Sequence, residues 1–338
     1  MNRDRDETLL QVVHGDYLSD PVLCSSAMWN CCHFLYYEFL GGRSLDILEE
    51  RCQYYLSYMK DLKRNEAALV GAPIWRLVLN LTQSSVNTSG STATGSRSNN
   101  VVDSFEASIS QTSPVAPYFA RMTKNLLHAY RREYITGADL SIQRGNEFLG
   151  NFPHQPSGIW DMCLRGVCLY AAAMNTGKRR YYGHAKKAKR TIEKWLSQGN
   201  INVRHYVALL EAEDLALRGK LNEARVSYES SIVAASRGGF IHDSAIANER
   251  YACFLMDKMH DRENAMFHFG ESERLYTEWG AINVLEGLHK IMMDRGLTPQ
   301  ENGTVSVPTS LENSESPLRR LQQIGQSVSS SILSLGGS

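Results

Sequence analysis

Apolar residues in this chain recur at intervals of three and four over most of its length. In "KLNEARVSYESSIVAAS" they are Leu221, Ala224, Tyr228, Ile232 and Ala235, which share one face of a helix. In "HDSAIANERYACFLMDK" the line runs through Ala245, Asn248, Ala252, Leu255 and Met259. Alternating runs that would make strands are scarce. Such a chain buries its apolar surface by packing helix on helix, so the expected fold class is all-α. Its 338 residues suffice for two ordinary domains or one elongated array of repeats.

The first helical block runs from residue 1 to 83 and contains "DPVLCSSAMWNCCHFLYYEFLGG", "SLDILEERCQYYLSYMKDL" and "NEAALVGAPIWRLVLNLTQ". Gly41-Gly42 ends one helix in a left-handed turn, and Ser44 can cap the next, with Asp46 near its positive end. Residues 84–114 are dominated by Ser, Thr, Asn and Gly. That composition buries too little apolar surface to offset ordering entropy, so a disordered loop is expected there. Helical patterns resume over 115–297. From about Thr298 the chain turns polar and Ser-rich, and 298–338 reads as a flexible tail. Within it Leu318, Leu321, Ile324, Val328, Ile332 and Leu335 form a weak amphipathic stripe, enough for a short docking helix.

Three helix pairs align on a small residue: Ala185, Ala224 and Ala265. "RGKLNEARVSYE" resembles the turn and second helix of a tetratricopeptide repeat, with a glycine turn, an acid, an alanine, and an aromatic four residues on. The spacing is longer than in that family, and its tryptophan and proline are missing, so the resemblance is to a degenerate, long-loop form. It implies a solenoid of antiparallel helix pairs, whose concave surface binds other proteins.

Lys and Arg number 36, as do Asp and Glu, so the overall balance argues against nucleic acid or membrane as the partner. The cysteines (Cys24, Cys31, Cys32, Cys52, Cys163, Cys168 and Cys253) are odd in number, and none lies in a CxxC pair. Most sit in apolar helical patterns, which suits reduced, buried thiols of a cytoplasmic protein. The N-terminus has no apolar signal region, and no run of about 18 apolar residues spans a membrane.

Several clusters invite a chemical reading. Cys31, Cys32 and His33 lack the convergent spacing of a metal site. Gly90 and Gly95, followed by Ser96-Arg97-Ser98, have P-loop spacing without its lysine. His242, Asp243, Asn248 and Glu249 fall within eight residues; here Asp243 or Ser244 is expected to cap a helix, His242 to precede it in a loop, and the others to make an inter-helix hydrogen bond. Glu211 and Asp214 share a face while Glu213 points elsewhere, which suits a solvated face plus one buried glutamate. No catalytic residue, cofactor or metal ligand is assigned. The strongest charge feature is "GKRRYYGHAKKAKRTIEKW", with Lys178, Arg179, Arg180, Lys186, Lys187, Lys189, Arg190 and Lys194 against Glu193, interleaved with Tyr181 and Tyr182. This patch could meet a protein, a nucleic-acid backbone or an anionic membrane.

Taken together, "CCHFLYYEFLGGRSLDILEE", "APIWRLVLNLTQ", "YVALLEAEDLALRGKLNEARVSYESSIVAASRGGFIHDSAIANERYACF" and "ESERLYTEWGAINVLEGL" resemble the helical, tetratricopeptide-like region of large multidomain signalling kinases. Those proteins join kinase-like, AAA-type ATPase, GAF and histidine-kinase modules. The resemblance covers roughly residues 20–83 and 115–290. It implies a non-catalytic arm that passes a binding event to an ATPase or kinase, in cis or in trans. The chain carries no Walker lysine, kinase catalytic loop, DFG or histidine-kinase box, so no catalytic residue carries over.

Overall fold

The computed structural model describes residues 21–83, 94–109, 112–153 and 155–297. Among these every regular element is helical, so the chain is all-α. The helices are α1 (Pro21–Leu40), α2 (Leu45–Asp61), α3 (Asn65–Thr82), α4 (Thr94–Ala107), α5 (Ala116–Tyr130), α6 (Tyr134–Arg144), α7 (Glu147–Asn151), α8 (Ser157–Thr176), α9 (Arg179–Ser197), α10 (Arg204–Leu217), α11 (Leu221–Gly238), α12 (Ile241–Phe254), α13 (Arg262–Trp279) and α14 (Ile282–Asp294). A short 3-10 turn, Ile201–Val203, precedes α10, and a π-helical stretch, Leu255–Met259, extends α12.

Two compact units result. The first takes the described residues up to Cys168 together with Trp279–Glu286. Its centre is α3, which packs against α1, α2, α4 and α5. Gly71 lets α2 come close, since a Cβ there would stand 2.3 Å from Leu56 Cδ2. Phe39 on α1 lies 4.4 Å from the Trp160 ring and 5.4 Å from that of Trp279. Trp279 Nε1 donates to the Arg43 carbonyl at 3.1 Å, and Asn283 Nδ2 to the Asn80 carbonyl at 2.7 Å. A late segment of the chain thus completes the core of the first helices. Asp161, fully buried, lies between Arg144 and Arg165.

The second unit takes Leu169–Glu278 and the described residues from Gly287 on. Here α9, α10, α11 and α12 pack in chain order. Ala185 on α9, Ala224 on α11 and Ala265 on α13, the aligned small residues, are all fully buried. The end of α11 follows the expected glycine logic: Gly239 has φ +73°, and the Phe240 amide bonds the Ala235 carbonyl at 3.1 Å.

Segment 84–114 departs from the expected loop. Residues 94–107 form α4, with Val102 fully buried and Phe105 edge-on to Trp75 at 5.8 Å. Arg76 on α3 pairs with Asp103 at 2.6 Å and Glu106 at 2.9 Å. The polar composition of the whole stretch hid an amphipathic pattern in its second half, where Val102, Phe105 and Ile109 follow at helical steps. Residues 84–93, with Gly90, and the tail 298–338, with its Leu318–Leu335 stripe, lie outside the described residues.

Candidate functional site

Two sets of charged residues stand out in the second unit, one exposed and one buried. The exposed set is the basic patch on α9. This helix buries Tyr181, Ala185, Ala188 and Ile192, at steps of three and four, against its neighbours. The cations therefore divide by face. Lys178, Arg179, Arg180, Lys187, Arg190 and Lys194 are exposed. Arg180 lies 4.6 Å over the Tyr181 ring and donates to the Tyr181 hydroxyl at 2.8 Å. Lys186 is half-buried, 4.5 Å over the ring of Tyr182. Lys189 does not belong to the outer patch. Its ammonium turns to α10, in contact with Glu211 and 3.6 Å from both Asp214 and Glu193. Burial alone would lower its pKa, but these three carboxylates outweigh that and hold it above the ordinary lysine value.

No acid sits in the first turn of α9, and no side chain caps it. Cations at this positive helix end are locally unfavourable. Arg179, Lys187, Arg190 and Lys194 make no side-chain ion pair or hydrogen bond among the described residues. Among the described residues the surface they form is a cationic row without paired acids.

The buried set centres on α12. Every residue from His242 to Phe254 is buried, although the segment holds six polar or charged side chains in nine positions, "HDSAIANER". Each of the strongly polar ones meets a partner. Asp243 accepts from Tyr206 and pairs with His205 Nε2 at 2.9 Å, both on α10. His242 Nε2 lies 3.5 Å from the same carboxylate. Asn248 Oδ1 meets His268 Nδ1 at 2.7 Å, and Glu249 accepts from Tyr276 at 3.0 Å, both on α13. Arg250 donates to both carboxylate oxygens of Glu213 on α10, at 2.7 and 2.9 Å.

Burial would raise the Asp243 pKa, but the imidazoles of His242 and His205 and the Tyr206 hydroxyl hold it below the usual carboxylate range. Burial pushes His242 down, and pushes His268 down to about 3. The cluster has the groups of an acid–base relay, yet Asp243 is 4% exposed and His242 0%. What this geometry does is bind α12 to α10 and α13.

Several sequence expectations change here. Neither Asp243 nor Ser244 caps α12: the helix begins at Ile241 after Phe240, and no side chain caps it. His242 lies inside the helix and not in a loop, fully buried with its Nε2 beside the Asp243 carboxylate. The buried glutamate is Glu213, and Asp214 is buried as well, at 5% exposure, beside Lys189 and the Tyr170 hydroxyl. Ser44 precedes α2 as expected, but its hydroxyl turns to Asp46 instead of a backbone amide. Cys31, Cys32, Cys52, Cys163, Cys168 and Cys253 are buried free thiols. Among the described residues no group of three or more His, Cys, Asp and Glu is arranged to hold a metal ion, and no helix is long and apolar enough to cross a membrane. Compared with protein-family models, curated proteins and solved structures, the chain matches none.

Proposed function

We propose that the chain is a non-catalytic, tetratricopeptide-like helical arm that works by protein–protein contact in cytoplasmic signal transduction. The observation that carries this reading is the division of its charged residues. Those with catalytic potential are paired inside the helix stack, and those left outside lie along unbroken helix faces. A stack of helix pairs with charged outer faces is a surface for other proteins. On this reading the resemblance to the helical region of multidomain signalling kinases describes the partner: an ATPase, kinase or GAF module, in trans or as the rest of a larger sensor kinase.

A second reading draws on the exposed cations of α9, which suit a nucleic-acid or anionic-membrane adaptor. One capture experiment separates the two. The full chain, immobilised and exposed to extract of its own cells at about 150 mM salt, retains kinase- or ATPase-bearing proteins on the first reading. Recovery of nucleic acid or lipid alone, released by salt, favours the second. Turnover of ATP by the purified chain overturns the non-catalytic reading.

A further inference from the structure

The outer row of α9 has a counterpart on α2. On α9, Arg179, Gly183, Lys187, Arg190 and Lys194 follow at steps of 4, 4, 3 and 4 residues. On α2, Asp46, Glu50, Tyr54, Ser57 and Asp61 follow at the same steps. Each row spans about 22 Å of helix at 1.5 Å per residue. All five residues of the α2 row are exposed. An open groove of about 410 Å³ runs along this face, lined by Glu50, Gln53, Tyr54, Ser57, Tyr58 and Asp61. Tyr54 and Tyr58 stack in it, ring planes 2° apart and centroids at 6.3 Å. Glu50, Asp61 and Asp46 make no side-chain ion pair among the described residues; the Asp46 carboxylate accepts from the Ser44 hydroxyl and from backbone amides of its own helix start.

We infer that the chain associates with a second copy of itself, the α9 row of one molecule lying antiparallel in the α2 groove of the other. In that register Arg179 meets Asp61, Lys187 meets the Tyr54 ring, Arg190 meets Glu50 and Lys194 meets Asp46. Every charged contact is complementary, and the lysine over tyrosine is a cation–π pair. Between them Gly183 meets Ser57. Small residues facing each other let two helices approach to the near end of the usual 8–10 Å. This accounts for an otherwise unexplained glycine. A Cβ at Gly183 would meet nothing within 4 Å in its own chain, so the chain's own packing does not require it. A glycine inside a helix is less stable than alanine by about 0.8–1 kcal/mol.

Nucleic acid fits the row less well. Of the tyrosines of α9, Tyr181 is buried and Tyr182 lies beneath Lys186, so neither offers an outward face on which to stack a base. One pair of four-turn helices covers less than the roughly 1,000 Å² of a stable interface, so the association is weak, charge-driven and sensitive to salt. It does not depend on which signalling protein the arm serves.

Sedimentation velocity of the full chain tests this, at about 1 and about 100 µM protein and at roughly 50 and 500 mM salt. Dimers or longer assemblies are expected at high protein and low salt, and monomers at high salt. Arg179→Glu/Arg190→Glu/Lys194→Glu should weaken association at least about tenfold, as should Asp46→Arg/Glu50→Arg/Asp61→Arg. The six changes combined in one chain should restore it, because all three facing charge pairs are then exchanged. Gly183→Leu should block it while circular dichroism stays unchanged. A monomer under all conditions overturns the proposal. So does association that survives both charge reversals, or fails to return in the combined variant. Loss through α9 changes alone, with a 20-nucleotide RNA binding the same cations, assigns the row to nucleic acid and overturns it too.

Discussion

His268 is an imidazole whose burial disfavours the charged form. It is 5% exposed, its Nδ1 is engaged by Asn248, and burial pushes its pKa down to about 3, with Arg225 acting in the same direction. A base whose pKa falls on folding binds fewer protons folded than unfolded. Its contribution to stability is therefore complete above about pH 6.5 and is lost as the pH falls towards 3. The slope is at most about 1.4 kcal/mol per pH unit for this one group. His268→Gln keeps a hydrogen-bonding group toward Asn248 and removes the titration. Melting curves at about pH 7.5 and about pH 4.5 should show a smaller acid loss in the variant than in the parent; equal losses would show that His268 is not the group titrating. At this scale the sequence is least legible. Asp243 reads as a helix cap, His242 as a loop residue, and Asn248 and Glu249 as makers of an inter-helix hydrogen bond with no named partner, while Arg250 carries no signal of its own. Their burial depends on His205, Tyr206, Glu213, His268 and Tyr276, up to 38 positions away, and no local pattern marks those pairings.

Helices were more legible than their partners. The 3.6-residue period locates α9 to α13, because an apolar stripe specifies where a helix lies and which face turns inward. It located Ala185, Ala224 and Ala265 as buried contact points. It failed at α4, where a polar stretch diluted the signal of Val102 and Phe105, and it could not see that α12 is buried on every side. An all-round buried helix is ordinarily apolar; α12 is held by ion pairs and hydrogen bonds to α10 and α13 instead. The strongest of these ties is Glu213 with Arg250, side chains 0% and 10% exposed. Removing one partner strands the other as a buried charge, so Arg250→Met should cost about 3–5 kcal/mol. Replacing both, Glu213→Met with Arg250→Met, removes the stranded charge and should return most of that loss. Urea denaturation of the two single variants and the double variant closes the cycle. A double variant as unstable as the sum of the singles would mean that the pair is not coupled.

Across the whole chain, the fold class followed from periodicity, but the pairing of distant segments did not. Stacked repeats contact their neighbours in sequence, and the order α9 to α12 fits that. The segment Trp279–Glu286 does not, since it belongs to the unit formed by the early helices. Trp279 fills the space beside Phe39 and Tyr130 and donates to the Arg43 carbonyl, across 236 residues. Arg132 also donates to the Val284 carbonyl at 3.0 Å. In "LYTEWGAINVLEGL" the tryptophan reads as one more apolar residue of a late helix; nothing nearby in the sequence indicates a partner on α1. If its ring completes that core, Trp279→Ala should destabilise the protein by about 3–5 kcal/mol, as large-to-small changes in packed sites do. Met293→Ala, at a position 61% exposed on α14, should stay within about 0.5 kcal/mol. Hydrogen exchange adds the spatial test. In Trp279→Ala, amide protection should fall in α1 and α5, whose Phe39 and Tyr130 lose a neighbour, and should hold in α11. Loss confined to α13 would mean that the tryptophan stabilises only its own helix, and that the early helices close their core without it.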